Sequence, residues 1–344
     1  MYIVDDRSTG ERLAVTKESV ALAMQARQRL EGMRAEAQLL ALLTAVHEKG
    51  WTAFLREPRT ADELADFAGL PAERVRDVLV ALQANDIVEQ EDGKVRLTAP
   101  FATVAADDAW IPLGDKLAQI EMEVRQVRTV IEDPEPLALT ETDALVVANA
   151  VGGHVTDVTR AVYAQLLAQL PDLAAQIRAG RWLDVGCGVA CATLTLATTI
   201  PEMRGVAVEL VPAVAAEAMR RAEAFGVADR VEIRQMDARD VPERDEFVGA
   251  FWAQPFFPAA IRPATLAMIR RALEPGGKLF IQELEAVPTE QDRPSWTVRR
   301  LIAHGQQARF GPSAEELAEE AVAAGFTLDR IAGTDFGRMV VVTK

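Results

Sequence analysis

From Arg181 onward, short apolar runs alternate with longer segments of helical periodicity. The apolar runs read RWLDVGC, RGVAVEL, RVEIRQMDA, EFVGAFWAQ and KLFIQELE, and the segments between them include ATLTLATTIPE, AVAAEAMRRAEAFG and PATLAMIRRALEPGG. Alternation of this kind, with nearly continuous apolar strands, predicts a parallel sheet covered by helices on both faces. The tail adds a predicted helix, SAEELAEEAVAAGF, and two predicted strands, TLDRIAG and GRMVVVTK, that pair as a terminal hairpin.

The first part of the chain follows a different pattern, in which a β-hairpin comes after three helices. AEAQLLALLTAVHEKG has apolar residues at helical spacing and predicts a helix that stops at Gly50. Thr60 and Glu63 have the spacing of a capping box, and Pro71 suits a first helical position. An Asp-Gly turn at Asp92 then separates two short predicted strands. Three helices and a hairpin in this order predict a winged helix.

Three segments follow from these patterns. Residues 1–110 are expected to form an N-terminal arm and a winged-helix dimerisation domain, in which residues 1–34 are the arm that crosses onto a second subunit. Residues 101–178 are mostly helical in pattern, with a break at EDPEPLALTETDA. We therefore expect residues 111–151 to form a helical linker and residues 152–344 to form the α/β domain.

Composition and charge limit the classes of function that the sequence allows. The 344 residues are 49% hydrophobic and 26% charged, and no apolar run approaches the roughly 18 residues of a membrane-spanning helix. The N-terminus has no basic region followed by an apolar one, so the sequence predicts a cytoplasmic location. A net charge of −15 disfavours nucleic acid and anionic membranes as partners and favours a small molecule.

DNA binding is the function that a winged helix raises first, and the charges of the third predicted helix argue against it. Glu73 and Asp77 cancel Arg74 and Arg76 in that helix, whereas a groove-reading surface is basic. Dimerisation, or a wall of a substrate pocket, is the favoured role of this domain. A winged-helix regulator stays the least favoured alternative.

A glycine turn follows the first predicted strand of the α/β domain. Asp184 ends that strand, and Gly186 and Gly188 let a ligand approach the backbone at the start of the next helix. Glu209 ends the second strand, where an acid can accept hydrogen bonds from both hydroxyls of a ribose. Asp237 follows the third strand, where a carboxylate can accept from an adenine amino group. Together these residues predict a cofactor that contains a nucleoside.

Two details distinguish an adenosyl ligand from a dinucleotide. The sixth position of the dinucleotide pattern G-x-G-x-x-G requires glycine or alanine, and here it is Cys191. Ala238, next to Asp237, is a small neighbour for an adenine ring. Cys187 and Cys191 lie four residues apart without further ligands nearby, so we expect small buried fillers and no metal site.

In these motifs the chain resembles the class I S-adenosylmethionine-dependent methyltransferases. LDVGCG, the acid of VAVEL, the acid of MDA and the segment RALEPGGKLFIQE match family motifs in order and at family spacing. The resemblance implies a Rossmann-like, doubly wound, seven-stranded sheet whose last strand is antiparallel. With the winged helix in front, residues 30–344 resemble the two-domain small-molecule O-methyltransferases, which implies S-adenosyl-L-methionine as cofactor and a homodimer formed through the N-terminal domain.

The resemblance also assigns site residues. It implies a cofactor site made of Asp184, Gly186, Gly188, Glu209, Leu210, Asp237, Ala238, Phe251 and Trp252. Ala190 departs from the family, which often has a third glycine there. A second departure concerns the base that deprotonates phenols in the family: where relatives read H-D-W, this chain reads Pro255-Phe256-Phe257. The missing base favours methylation of carbon or nitrogen over histidine-assisted O-methylation.

The remaining polar and aromatic residues provide candidates for the acceptor site. Catalytic candidates are His154, Gln254 and His304, whereas His47 is expected to be structural. The candidates for binding the acceptor, a small aromatic metabolite, are Trp252, Gln254, Phe256, Trp296, Arg300 and His304. A second hypothesis is an enzyme that keeps the cofactor without transferring its methyl group, as a cyclase or decarboxylase-like catalyst.

Overall fold

The computed structural model describes residues 16–344, which divide into two compact units between Ala102 and Thr103. The beginning of the predicted arm therefore lies outside the described residues. Within residues 16–344, no helix is both long and apolar enough to cross a membrane.

The first unit contains the predicted helices and hairpin. Its elements are α1 (Lys17–Glu48), α2 (Trp51–Phe54), α3 (Ala61–Ala68), α4 (Ala72–Gln83), β1 (Val88–Glu91), β2 (Lys94–Leu97) and α5 (Ala99–Val104), the last of which runs across the division between the units. The predicted capping box at α3 is present, because the Thr60 hydroxyl accepts from the N–H of Glu63 and the Glu63 carboxylate accepts from the N–H of Thr60. Pro71 is the N-cap of α4 and not its first helical residue.

Helix α1 includes both the described part of the predicted arm and the helix predicted after it. It runs without a break for 32 residues, through Gly32, and ends two residues before the predicted stop at Gly50. A glycine inside a helix costs only about 1 kcal/mol relative to alanine, and strong helix formers surround this one. The helix is exposed from Lys17 as far as Ala37, with apolar side chains such as Leu22 and Leu30 facing solvent.

In the second unit, four complete α-helices precede the sheet and five lie between its strands. The first group is α6 (Leu113–Glu132), α7 (Glu141–Gly152), α8 (Asp157–Gln169) and α9 (Pro171–Ala179). The predicted break falls between α6 and α7. The helices between strands are α10 (Cys191–Thr199), α11 (Pro212–Ala224) and α12 (Arg262–Ala272), and α13 (Arg293–Gly305) and α14 (Ala314–Ala323) follow the last parallel crossover.

Seven strands form the sheet of the second unit. They are β3 (Arg181–Val185), β4 (Arg204–Glu209), β5 (Val231–Gln235), β6 (Phe247–Trp252), β7 (Leu273–Gln282), β8 (Thr327–Thr334) and β9 (Gly337–Thr343), in the spatial order β5-β4-β3-β6-β7-β9-β8. Strands β3 to β7 pair in parallel, and β9 pairs antiparallel with both β7 and β8. The expected sheet, with an antiparallel last strand and a terminal hairpin, is confirmed.

Helices cover both faces of this sheet. On one face, side chains such as Leu183 and Leu279 pack with residues of α12 and α14, such as Ile269 and Leu317. On the other face, residues of α9, α10 and α11 pack on alternate strand residues such as Trp182. This alternation is what buries both sides of a doubly wound sheet.

Candidate functional site

The glycine turn lies where the strand order reverses. Strands β4 and β5 lie on one side of β3 and β6 lies on the other, so the carboxyl ends of β3 and β6 flank the usual ligand crevice of an open parallel sheet. Gly186 and Gly188 have φ angles of +78° and +57°. The N–H groups of Gly186 and Cys187 both donate to the carbonyl of Val208 at 3.0 Å, which ties the turn to β4.

The ring of Phe257 lies against Gly186. A Cβ added at residue 186 would lie 2.7 Å from Cε2 of Phe257, so only glycine fits under the ring. Phe257 also meets Trp252 edge-on, with ring centroids 5.6 Å apart. Sequence reasoning selected its neighbour Phe256, whose side chain is 54% exposed, and missed Phe257. Phe257 therefore covers the residue that begins the glycine turn.

Ala190 occupies the position where relatives often have a third glycine. Its φ is +57°, it is the N-cap of α10, and it is fully buried. A left-handed conformation costs a residue with a Cβ roughly 1 kcal/mol or more. The departure from the family pattern is thus accommodated in the same backbone shape, at some cost in strain.

Asp184 is a buried carboxyl at the end of β3. The Thr193 hydroxyl donates to its Oδ2 at 2.6 Å. Burial raises the pKa of Asp184 to about 6, the hydrogen bond from Thr193 opposes that rise, and the charge of Glu209 adds to it. A positively charged group beside Asp184 would favour its ionised form. Thr193 is a partner that sequence reasoning missed.

Glu209 joins the end of β4 to the glycine turn. Its Oε2 accepts from the N–H of Gly188 at 3.0 Å, and its Oε1 accepts from the N–H of Val211 at 2.9 Å. Each carboxylate oxygen has a further lone pair, so the group can still accept from ligand hydroxyls. Leu210, the next residue, leaves 57% of its surface exposed beside this acid.

Asp237 follows β5 and faces Arg239. Its Oδ1 accepts from the backbone N–H and Nε of Arg239, and its Oδ2 accepts from Nη2 at 2.7 Å. The hydrogen bonds from Arg239 hold the pKa of Asp237 below its ordinary value, which keeps it an ionised acceptor. Ala238 is buried next to it.

Phe251 and Trp252, the last residues of β6, point to opposite faces of the sheet. Phe251 is half-buried and packs with the cluster that contains α10, whereas Trp252 is 1% exposed and packs with the cluster that contains α12. The sequence-based assignment placed both rings at the ligand. Because successive residues of a strand alternate in direction, Trp252 is instead a core residue under the site.

Gln254 is also buried, and it is held by a charged pair. Nη1 of Arg262 donates to the carbonyl of Gln254 at 2.7 Å and to its Oε1 at 3.0 Å. Nε and Nη2 of Arg262 donate to the two carboxylate oxygens of Glu320 on α14. Nε2 of Gln254 and Nε1 of Trp252 have no hydrogen-bond partner among residues 16–344. Gln254 is therefore fixed in place and presents little surface.

The two candidate catalytic histidines lie in different surroundings. Nε2 of His154 lies 2.9 Å from Oδ2 of Asp115, near the first turn of α6. His304 lies on α13 and lines a cleft formed with residues 129–137. No residue of the glycine turn lines that cleft.

Trp296 and Arg300 lie on the same helix as His304. Nε1 of Trp296 donates to the carbonyl of Glu285, and the guanidinium of Arg300 lies 5.4 Å from the centroid of the Trp296 ring. The structure thus places these three residues on α13. Their role in binding the acceptor stays a prediction.

Cys187 lies within the glycine turn and Cys191 begins α10, and both pack with apolar residues of the same cluster. Cys191 is buried and Cys187 half-buried, and burial raises the pKa of Cys191 to about 11. Within residues 16–344, no group of three or more potential ligands is arranged to hold a metal ion.

The set of acceptors at this edge of the sheet fits an adenosyl cofactor that carries an amino acid. Carboxylates stand at the ends of the three adjacent strands β3, β4 and β5, and hydroxyl, amino and ammonium groups are the donors that carboxylates bind. Gly188 leaves room for close approach to the backbone, because a Cβ there would meet only Cβ of Ala148 at 3.9 Å, whereas the ring of Phe257 fills the corresponding space at Gly186.

Comparison with known proteins agrees with this geometry. A family model described as methyltransferase domain matches residues 183–277. A release factor glutamine methyltransferase of Cereibacter sphaeroides is 34% identical over 144 residues, which are 42% of this chain and 47% of that protein. A carboxy-S-adenosyl-L-methionine synthase of Chromohalobacter salexigens is 31% identical over 167 residues, which are 47% of this chain and 60% of that protein. The chain thus spans about half the length of the curated relatives it matches.

Solved structures match nearly the whole chain at low identity. An O-methyltransferase family protein from Burkholderia thailandensis has a TM-score of 0.69 at 16% identity and covers 96% of this chain and 98% of its own. Human N-acetylserotonin methyltransferase, in complex with SAM, has a TM-score of 0.69 at 14% identity, with coverages of 93% and 98%. An amino-riboflavin dimethyltransferase from Streptomyces davawensis has a TM-score of 0.59 at 22% identity, with coverages of 92% and 98%.

The protein therefore has the fold of the S-adenosylmethionine-dependent methyltransferases. Residues 183–277 match the model of a methyltransferase domain, in agreement with the resemblance drawn from the sequence motifs.

Proposed function

We propose that this protein transfers a methyl group from S-adenosyl-L-methionine to a small-molecule acceptor. The observation that carries the proposal is the placement of Asp184, Glu209 and Asp237 at the carboxyl ends of three neighbouring strands, with Glu209 hydrogen-bonded to the glycine turn. A glycine turn, a ribose-binding acid and an adenine-binding acid in this order suit an adenosyl cofactor.

Each proposed cofactor residue has a defined task. Glu209 would accept from the ribose hydroxyls, Asp237 from the adenine amino group, and Asp184 would face the methionine ammonium. Leu210 and Ala238 offer apolar surface for the adenine, and Gly186, Gly188 and Phe251 line the remaining wall. When bound, the cofactor supplies an electrophilic methyl carbon, and the protein's part is to align a nucleophile with it in a pocket that excludes water.

A small aromatic metabolite is the acceptor that we infer. Aromatic side chains around the end of β6 support this, since Phe251 is half-buried there and Phe257 covers Gly186. Similar folds include proteins described as a mitomycin 7-O-methyltransferase and an N-acetylserotonin methyltransferase.

Methylation of carbon or nitrogen is proposed over O-methylation assisted by a histidine after β6. Pro255 stands at the position of that histidine, and Gln254 beside it is engaged with Arg262. The similar structures include one protein described as an O-methyltransferase and another described as an amino-riboflavin dimethyltransferase, so the fold alone does not select the atom.

We further infer a homodimer formed through residues 1–110, with residues 111–151 as a link to the cofactor domain of residues 152–344. The exposed apolar side chains of α1 support an interface with a second copy, because large apolar groups gathered on one helix gain from burial.

Isothermal titration with S-adenosylmethionine tests the cofactor part of the proposal. We expect binding by the wild type and at least tenfold weaker binding by Glu209→Ala and Asp237→Ala. Glu223→Ala, on an exposed residue of α11, is the matched control and should bind as the wild type does. Absence of binding, or equal binding by all four proteins, would refute the proposal.

A second candidate function is S-adenosylmethionine-dependent catalysis without methyl transfer. Pro255 at the base position favours it, and one curated relative is described as a carboxy-S-adenosyl-L-methionine synthase. Incubation of the protein with methyl-labelled cofactor and a set of phenols, anilines and enols separates the two functions. Label in a product supports methyl transfer, whereas cofactor binding without any labelled product supports the second candidate.

A further inference from the structure

His154 and Asp115 form a pair that could act on a proton. Nε2 of His154 lies 2.9 Å from Oδ2 of Asp115, and the two side chains are 37% and 26% exposed. A carboxylate beside one ring nitrogen holds the proton on that nitrogen, which leaves the lone pair of a base on Nδ1. The geometry is that of a base and the group that orients it.

The segment that carries His154 packs against residues that follow the glycine turn. A Cβ added at Gly152 would lie 3.2 Å from Cγ2 of Val189, which follows Gly188 directly. Two residues span at most about 7 Å of chain, so the Cα of His154 lies within about 7 Å of the Cα of Gly152. Val155, the next residue, packs in the same cluster as Ala190 and Cys191.

A buried guanidinium holds the segment that carries His154. Nη1 of Arg221 donates to the carbonyl of Gly153 at 2.8 Å, and Nη2 donates to Oδ1 of Asn149 at 2.8 Å. Nε of Arg221 donates to Glu217, whose pKa is lowered to about 2 by its hydrogen bonds with Arg220 and Arg221. The N–H of His154 donates to the carbonyl of Trp110 at 2.8 Å. These hydrogen bonds therefore fix the backbone at His154.

We propose that His154, oriented by Asp115, takes the proton that the acceptor loses, in place of the histidine that is missing after β6. The inference rests on the proposed methyl transfer. The acceptor's X–H bond breaks, the proton goes to Nδ1 of His154, and the electron pair stays on the acceptor atom. That atom forms its bond to the methyl carbon as the carbon–sulfur bond breaks with its pair going to sulfur. Asp115 stabilises the imidazolium that results.

An indicator phenol tests proton transfer without any methyl transfer. The full-length protein, with S-adenosylhomocysteine added, is titrated with 4-nitrophenol in a buffer in which the free indicator is mostly neutral. The visible absorbance of the phenolate then reports whether the bound indicator has lost its proton. We expect the wild type to ionise it, His154→Gln to lower the ionised fraction of bound indicator about tenfold, and Asp115→Asn to give an intermediate value.

His47→Gln is the matched control, because it removes a histidine of the first unit that is hydrogen-bonded to Thr52. It should ionise the indicator as the wild type does. A wild type that leaves the indicator neutral or unbound, or a His154→Gln variant that ionises it fully, overturns this inference. Binding of S-adenosylhomocysteine by each variant is measured separately by calorimetry. A protein that fails to bind it contradicts the proposed function, whereas a variant that binds it and leaves the indicator neutral has lost only the base.

The competition within 2-aminophenol gives a second readout. Its oxygen needs a base before attack, whereas its nitrogen attacks with a free lone pair. The ratio of O-methylated to N-methylated product is independent of the amount of folded enzyme. His154→Gln should lower that ratio at least tenfold, and an unchanged ratio overturns the proposal.

Discussion

Oε2 of Glu209 accepts a hydrogen bond from the backbone N–H of Gly188 at 3.0 Å, so the acid at the end of β4 holds the glycine turn at the end of β3. Its other oxygen accepts from Val211. We therefore expect Glu209→Ala to lower the free energy of unfolding by about 1–3 kcal/mol, because two backbone donors lose their acceptor. Glu209→Gln keeps one acceptor and should lose less. Urea unfolding of the ligand-free protein measures both, and an alanine variant as stable as the wild type would contradict the contact.

The pH dependence of stability should report the burial of Asp184. Its pKa is raised to about 6, above the ordinary value of an unfolded aspartate. The folded state therefore binds more protons than the unfolded state between about pH 4 and pH 6, so this group's contribution to stability falls as pH rises, by up to roughly 3 kcal/mol.

Comparison with Asp184→Asn isolates that contribution, since groups with lowered pKa, such as Glu217, act in the opposite direction and are present in both proteins. We expect the unfolding free energy of the wild type to fall relative to that of the asparagine variant as pH rises through this window. Asp66→Asn, at an exposed position, should show no such relative change. Parallel curves for the wild type and Asp184→Asn would argue against a raised pKa.

The buried ion pair between Arg262 and Glu320 should be intolerant of single substitutions. The Arg262 side chain is only 2% exposed, and Glu320→Ala leaves its charge without a counterion. Losing one partner of a buried pair costs about 3 kcal/mol or more. We expect chemical denaturation to show that loss for Glu320→Ala and almost none for Glu319→Ala, the exposed neighbour. Equal stability of the two variants would mean that the pair is dispensable.

Sedimentation velocity tests the proposed homodimer. The wild type should sediment as a dimer, and Leu22→Glu with Leu30→Glu should shift it to monomer, because the added carboxylates would be buried in the interface without partners. Gln28→Glu adds charge at a polar position of the same helix and provides the control. A monomeric wild type, or a double variant that remains dimeric, is the contrary result.

The elements that the sequence predicted best are those whose signal is local. The apolar runs of the sheet, the Thr60 capping box and the turn at Asp92 each depend on residues within a few positions of one another, and the structure contains all of them. The glycine turn is partly of the same kind, since the positive φ angles of Gly186 and Gly188 favour glycine, although the ring that covers Gly186 belongs to the distant Phe257.

The site was predicted less completely because its remaining contacts are long-range. Asp115 lies 39 positions from His154, and Glu320 lies 58 positions from Arg262, so no spacing rule pairs them. Trp252 was assigned to the ligand because it is aromatic and ends a strand. The face of the sheet to which the Trp252 side chain points is determined by the packing of β6 against α12 and α14, which lie far from it in the sequence.

A crystal structure of the protein with S-adenosylhomocysteine tests the central claim most directly. The proposal predicts the nucleoside in the crevice beside Gly186 and Gly188, with the ribose hydroxyls on Glu209 and the adenine amino group on Asp237. A nucleoside bound elsewhere, or one that contacts neither acid, would contradict it.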